Sequence, residues 1–206
     1  VQAIQDQFAR RGAAETATLL YAPGSLDVGA ILERLDDSDT DAVIFLGNQG
    51  ELESVMAQCA ETERTPTIYA LGSMLSGPLF DAPSQFNERI VVAYPTYVSD
   101  VTDRGRAEYQ SLAERHSLPR EHIQAQVAAL AAAKLFVEGL QRTGRELSRI
   151  RLVESLEAVH DFPTGFTPLL TYGPNRRVGA WGAHLVTVDL VNRKYTPVGD
   201  GWHGIR

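Results

Sequence analysis

A strand-helix beat runs through the first half of the chain and then stops. Apolar segments at 17–22, 42–47, 67–71 and 90–94 alternate with amphipathic helices, and β-branched and aromatic residues collect in those segments. The alternation predicts an α/β fold, a Rossmann-like parallel sheet flanked by helices. Three consecutive helices are then expected across about 103–159 with no strand between them, before strands return at 168–172 and 183–191. Helices without a sheet of their own make the chain part of a two-lobed protein.

The balance of residues narrows the partners. With 206 residues and 44% hydrophobic content the chain can bury a sizeable core. Its formal net charge of -7, with Lys and Arg scattered, lacks the basic footprint of a nucleic-acid binder. Cys59 stands alone, so it forms no internal disulfide and is expected to be a small buried hydrophobe. The alanine-rich run 127–137 is too short to span a bilayer and contains Lys134, so no membrane-spanning stretch is expected. Residues 1–11 carry Val1, Ile4 and Phe8 at helical spacing, which is neither a signal peptide nor a tag; a preceding segment is expected to hold any localisation signal.

Local signals place the turns. Gly12 ends the first helix, and Pro23-Gly24 closes the segment 17–22 before Ser25 or Asp27 caps a helix bearing Val28, Ile31, Leu32 and Leu35. The acidic run Asp36, Asp37, Asp39 and Asp41 is expected to be a solvated turn rather than a metal cluster. A helix from Asn48 to about Thr62 presents Leu52, Val55, Met56 and Cys59 on one face. Further helices are predicted over 103–116, 121–141 and about 146–159, the second apolar over so wide an arc that it must be covered on more than one side. Residues 166–172, 173–179 and 183–190 are predicted as strand, turn and strand.

Catalytic signatures are missing: no dinucleotide glycine fingerprint after a strand, no phosphate loop, no nucleophile elbow and no zincin motif. His116, His122, His160, His184 and His203 lack metal-ligand spacing, and Arg176 with Arg177 is expected to be a solvated pair. Neither an enzyme nor a cofactor is expected. In parallel α/β sheets the loops leaving the strands' C-terminal ends line the ligand crevice. Gly47, Asn48, Gln49, Gly72, Ser73, Met74 and Tyr97 are therefore the candidate ligand-binding residues, with backbone N–H groups at 47–49 able to meet a carboxylate.

The order of elements resembles the type I periplasmic solute-binding proteins, the branched-chain amino-acid receptor family of ABC importers. The resemblance rests on Tyr21-Ala-Pro-Gly-Ser-Leu-Asp27, on Asp41-Ala-Val-Ile-Phe-Leu-Gly47, on the Ala-rich helix 129–144 ending in Arg-Thr-Gly, and on residues 162–175, Phe-Pro-Thr-Gly-Phe-Thr-Pro-Leu-Leu-Thr-Tyr-Gly-Pro-Asn. It implies two lobes closing like a hinge on a small solute, with 1–98 and 166–206 in the second lobe and 99–165 supplying helices to the first. It also implies a periplasmic or extracytoplasmic location and an ABC permease in the membrane as partner. A ligand-sensing domain of a receptor or transcriptional regulator is the alternative, and a doubly wound enzyme a more distant one. Amino-acid binders of the family place a tyrosine in the first crevice loop and an acid in the second, where this chain has Asn48-Gln49 and Gly72-Ser73. A buried ammonium would go unpaired, so the resemblance points to a neutral or acidic small organic solute. Helices lacking their sheet are expected to pair with a second copy of the chain or to fold back on the sheet present.

Overall fold

The computed structural model describes residues 1–12, 16–37 and 40–204. Asp39 of the acidic run lies outside the described residues, as do the side chains of Asp36 and Asp37. Strands β1 (Ala42–Phe45), β2 (Thr67–Leu71) and β3 (Ile90–Tyr94) pair in parallel and in sequence order, Ile44 opposite Tyr69 and Tyr69 opposite Val91. Beyond β3 the hairpin β4 (Gly182–Asp189) and β5 (Lys194–Gly204) continues the sheet antiparallel, giving the order β1-β2-β3-β4-β5.

Alternation decides which face is covered. Helices α2 (Val28–Asp37) and α3 (Gln49–Glu61) contribute to the main core with Leu35, Leu52, Val55, Met56 and Cys59, which join Phe45, Ile68, Ala70, Ile90 and Val92 of the strands. Of the side chains that point the other way, Ile44, Tyr69 and Leu71 remain exposed, while Val91 of β3 is buried.

Two strand expectations are corrected. Residues 17–22 carry no strand; Leu20 is 81% exposed, and Gln5 Nε2 of helix α1 (Gln2–Arg10) donates to Thr18 Oγ1 at 2.8 Å. An apolar run signals a strand, but a strand exists only where a neighbour takes its N–H and C=O groups. Residues 168–172 likewise form a single bridge, Leu170 with Phe162, because Pro168 and Pro163 interrupt the donors a ladder needs. The late hairpin is instead β4 with β5, whose Pro197, Gly199 and Gly201 hid it from the sequence pattern. Pro197 is tolerated on an edge strand, and the register shifts between His184 and Val186.

Helices α4 (Asp103–His116), α5 (Ile123–Thr143) and α6 (Arg149–Glu157) follow the expectation closely. Thr102 Oγ1 caps α4 by accepting from Gly105 N at 3.1 Å, and Ser148 Oγ caps α6 by accepting from Arg151 N at 3.2 Å. At 21 residues α5 is long and apolar enough to cross a membrane by length and composition, which corrects the expectation that no stretch is. It extends past the run 127–137 at both ends. Its cation Lys134 is spent within the fold, on Glu108 Oε2 at 2.8 Å and over the Phe166 ring at 5.1 Å, and Gly139 lets Leu152 and Leu156 of α6 approach. A second, smaller core of Val127, Ala131 and Phe166 forms here and shares no residue with the first.

The chain passes between sheet and helical layer twice, and the two passages are tied together. Thr102 N donates to Gly165 O at 3.0 Å, and Gly105 sits so close to that carbonyl that no side chain would fit.

Candidate functional site

Parallel pairing sends the loops after β1, β2 and β3 out of one edge of the sheet. Gly47, Asn48, Gln49, Gly72, Ser73, Met74 and Tyr97 all follow that edge. β4 starts at the same edge, with His184 opposite Tyr94, and β5 returns to it with Trp202 opposite His184. Helix α5 contacts the turn Gly72–Met74, and Thr96 Oγ1 donates to its Gln124 Oε1 at 3.3 Å.

The first loop is held by its own chain. Gly47 lies against the Tyr21 hydroxyl and the Phe45 ring, leaving no room for a Cβ. Asn48 Oδ1 accepts from Glu51 N at 3.0 Å while Glu51 Oε2 accepts from Asn48 N at 3.2 Å, a complete capping box. The same carboxylate accepts from Tyr21 Oη and from Gly24 N, each at 3.2 Å. The N–H groups of Asn48 and Glu51 are thus used internally rather than presented to a ligand. Burial, then the Glu51 charge and hydrogen bond, raises the Tyr21 hydroxyl above its ordinary pKa.

Gln49 joins the first loop to the second. Its Oε1 accepts from Ser76 N (3.0 Å), Ser76 Oγ (3.0 Å) and Gly77 N (2.9 Å), and its Nε2 donates to Glu53 Oε1 at 2.8 Å. Gly72 is buried beneath the Tyr94 ring, which would strike any Cβ there. Asn48, Ser73 and Met74 are exposed and Gln49 and Tyr97 half-buried; with Asn48 and Gln49 engaged in holding the loops, Ser73, Met74 and Tyr97 are the side chains left open to a ligand.

Sequence reasoning missed an aromatic cluster behind Tyr97. Tyr94 packs against Tyr97 (ring centres 6.0 Å apart) and Tyr195 (6.2 Å), and Phe80 lies 5.1 Å from Tyr195. Burial, reinforced by Tyr195, drives the Tyr94 hydroxyl far above its ordinary pKa and raises that of Tyr97 less. Asp100 Oδ2 accepts from Tyr97 N at 2.8 Å and meets His184 Nε2 at 2.9 Å, while Tyr97 and Trp202 flank the imidazole at 5.7 and 4.9 Å. Asp100 and His184 stand 84 positions apart, beyond any local pattern. With its Nε2 engaged and rings on both sides, His184 is packed rather than presented to a substrate. Among the described residues no group of three or more His, Cys, Asp or Glu gathers to hold a metal.

The periplasmic binding protein family model matches residues 1–189. No curated protein sequence matches the chain. Among solved structures, a branched chain amino acid ABC transporter from Thermus thermophilus with bound valine superposes with a TM-score of 0.77 at 16% identity, over 98% of this chain and 56% of that one. A solute binding protein of an ABC transporter from R. palustris in complex with benzoate gives 0.66 at 15% identity, over 97% and 53%. A fatty acid ABC transporter substrate-binding protein from Thermomonospora curvata gives 0.68 at 14% identity, over 96% and 52%. The chain spans little more than half the length of these relatives, and at such identities the likeness shows the fold alone, that of type I periplasmic binding proteins.

Proposed function

Because the chain belongs to the periplasmic binding protein family, we propose that it serves as part of an extracytoplasmic solute receptor that captures a small polar organic molecule, amino-acid-like or carboxylate, and hands it to an ABC permease. The observation that carries this reading is the shared edge: three loops from parallel strands, with Ser73, Met74 and Tyr97 open on them, face one way. The protein does no chemistry on the solute. Residues 1–98 and 166–206 make the second lobe, and residues 99–165 belong with the first. The two separate cores support this division, with Phe166 at the boundary packed on the helices, as does the tie between Thr102 and Gly165 where the chain crosses.

A thermal-shift panel of amino acids, aromatic and aliphatic carboxylates, sugars and polyamines tests the reading. One class is expected to raise the melting temperature saturably, by mass action on the native state, and to be recovered unchanged. Turnover that survives repurification and vanishes on a single substitution in this chain would overturn it.

A further inference from the structure

Charge is sparse in the loops where the solute would sit, with Asp200 exposed on the outermost strand, β5. Residues 46–48 after β1, 72–80 after β2 and 178–181 before β4 include no Asp, Glu, Lys or Arg. In the segment 95–102 after β3 the only carboxylate is Asp100, which is committed to Tyr97 N and His184 and leaves 12% of its side chain exposed. Glu51 of α3, at the first loop, already holds three donors from Asn48, Tyr21 and Gly24. Of the two cations before β4, Arg177 pairs with Glu157, and Arg176 donates to the Val178 and Gly179 carbonyls.

What the edge does offer is apolar and set in place. Met74 is 41% and Val98 57% exposed. The Tyr97 ring is held between Tyr94 and His184, and its backbone is fixed by Asp100, so it is ordered before any ligand arrives. Helix α5 brings the neutral Gln124 to this edge. An ammonium pressed here would lose its water without gaining a carboxylate. A flat apolar group would instead stack on Tyr97 and meet the Met74 thioether.

Resting on the solute-receptor reading, we propose that the group the solute turns toward Ser73, Met74, Tyr97 and Val98 is an uncharged aromatic or apolar one, and that α-amino acids are not the cargo. Calorimetric titration of the protein with benzoate, phenol and octanoate, against L-valine, L-leucine and glucose, tests it. At least one of the first three is expected to bind more tightly than any of the second three by about tenfold or more. Tyr97→Ala should weaken that binding about tenfold, and Tyr97→Phe, which keeps the ring, by less than about threefold. Met74→Ala, at an exposed position, gives a milder loss and a second readout should Tyr97→Ala fail to fold, which its circular-dichroism melt would reveal. Preferred binding of an α-amino acid or glucose overturns this inference and leaves the receptor reading standing. Aromatic binding unchanged in both alanine variants also overturns it. Silence toward all six compounds overturns it too, whereas the receptor reading falls only if the wider thermal-shift panel is silent as well.

Discussion

The sheet and the helical layer bury their apolar residues very differently. Around the sheet, Leu52, Val55, Met56, Ile68, Phe86 and Ile90 are wholly buried; in the helical layer the core among the described residues is Val127, Ala131 and Phe166, with Val159 buried apart from it, and Phe136 and Val137 of α5 stay half exposed. Both regions advertise helices of clear apolar spacing, so periodicity alone does not distinguish a helix that closes a core from one that leaves a face open. A partner layer of the right shape decides that: α3 packs on the sheet, while α5 meets only parts of α4, α6 and the turn Gly72–Met74 among the described residues.

Core truncation should break the comparison most sharply. Phe86→Ala in the sheet core is expected to cost about 3–5 kcal/mol in chemical denaturation, from lost burial and the cavity left behind. Phe136→Ala on α5 should cost under about 1 kcal/mol, because half of that side chain already sees water. Equal costs would mean that another surface covers α5 in solution. Light scattering then becomes decisive: a dimer that Phe136→Ala and Val137→Ala dissociate would identify that surface as a second copy of the chain.

Gly72→Ala is next in size. Its Cβ would strike the Tyr94 ring, which Tyr97 and Tyr195 hold from the other sides, so about 1–3 kcal/mol of overpacking is expected. Gly24→Ala also faces a cost, at a positive φ of 77°, but in open space, and should lose only about 1 kcal/mol. Urea midpoints in the reverse order would show that Tyr94 yields.

What the sequence made legible follows the reach of each interaction. The parallel strands, α3 with its Asn48 cap and α4 with its Thr102 cap are encoded within a few residues, and they emerge where the pattern places them. The strand predicted at 17–22 fails because pairing depends on a neighbour, and β5 stays hidden because an edge strand tolerates Pro197 and two glycines. Of the candidate site, the shared edge was legible from topology. The commitment of Gln49 to loop-holding was not, since it meets Ser76 and Gly77 across 27 and 28 positions, nor was the reach of Glu51 to Tyr21 and Gly24 across 30 and 27. Asp100 with His184 lay further still out of reach.

That buried pair offers a smaller test of how firmly the two regions are joined. His184→Ala removes a partner of Asp100 and a ring between Tyr97 and Trp202, at about 1–3 kcal/mol. His184→Gln keeps a donor and should recover part of that. If both variants melt like the parent, the contact does not join the passage leaving β3 to the strand that returns.

The smallest expected effects are titrations, and they separate core from rim. Burial raises the Cys59 thiol above its ordinary pKa, so it should resist a thiol reagent until the sheet core unfolds. At the far end of the hairpin, Asp189 accepts from Asn192 N at 2.9 Å and from Asn192 Nδ2 at 2.8 Å, and these bonds, ahead of the more distant Lys194, hold its carboxyl below the usual range. A depressed folded-state pKa gives stability that is complete above the unfolded Asp value of about 3.9 and is lost as pH falls through the lower folded value. Asp189→Asn should therefore lower stability at neutral pH and leave it unchanged at the acid end, which flattens the acid limb below about pH 4. An acid limb unchanged by Asp189→Asn would place the hairpin's acid sensitivity elsewhere in the sheet.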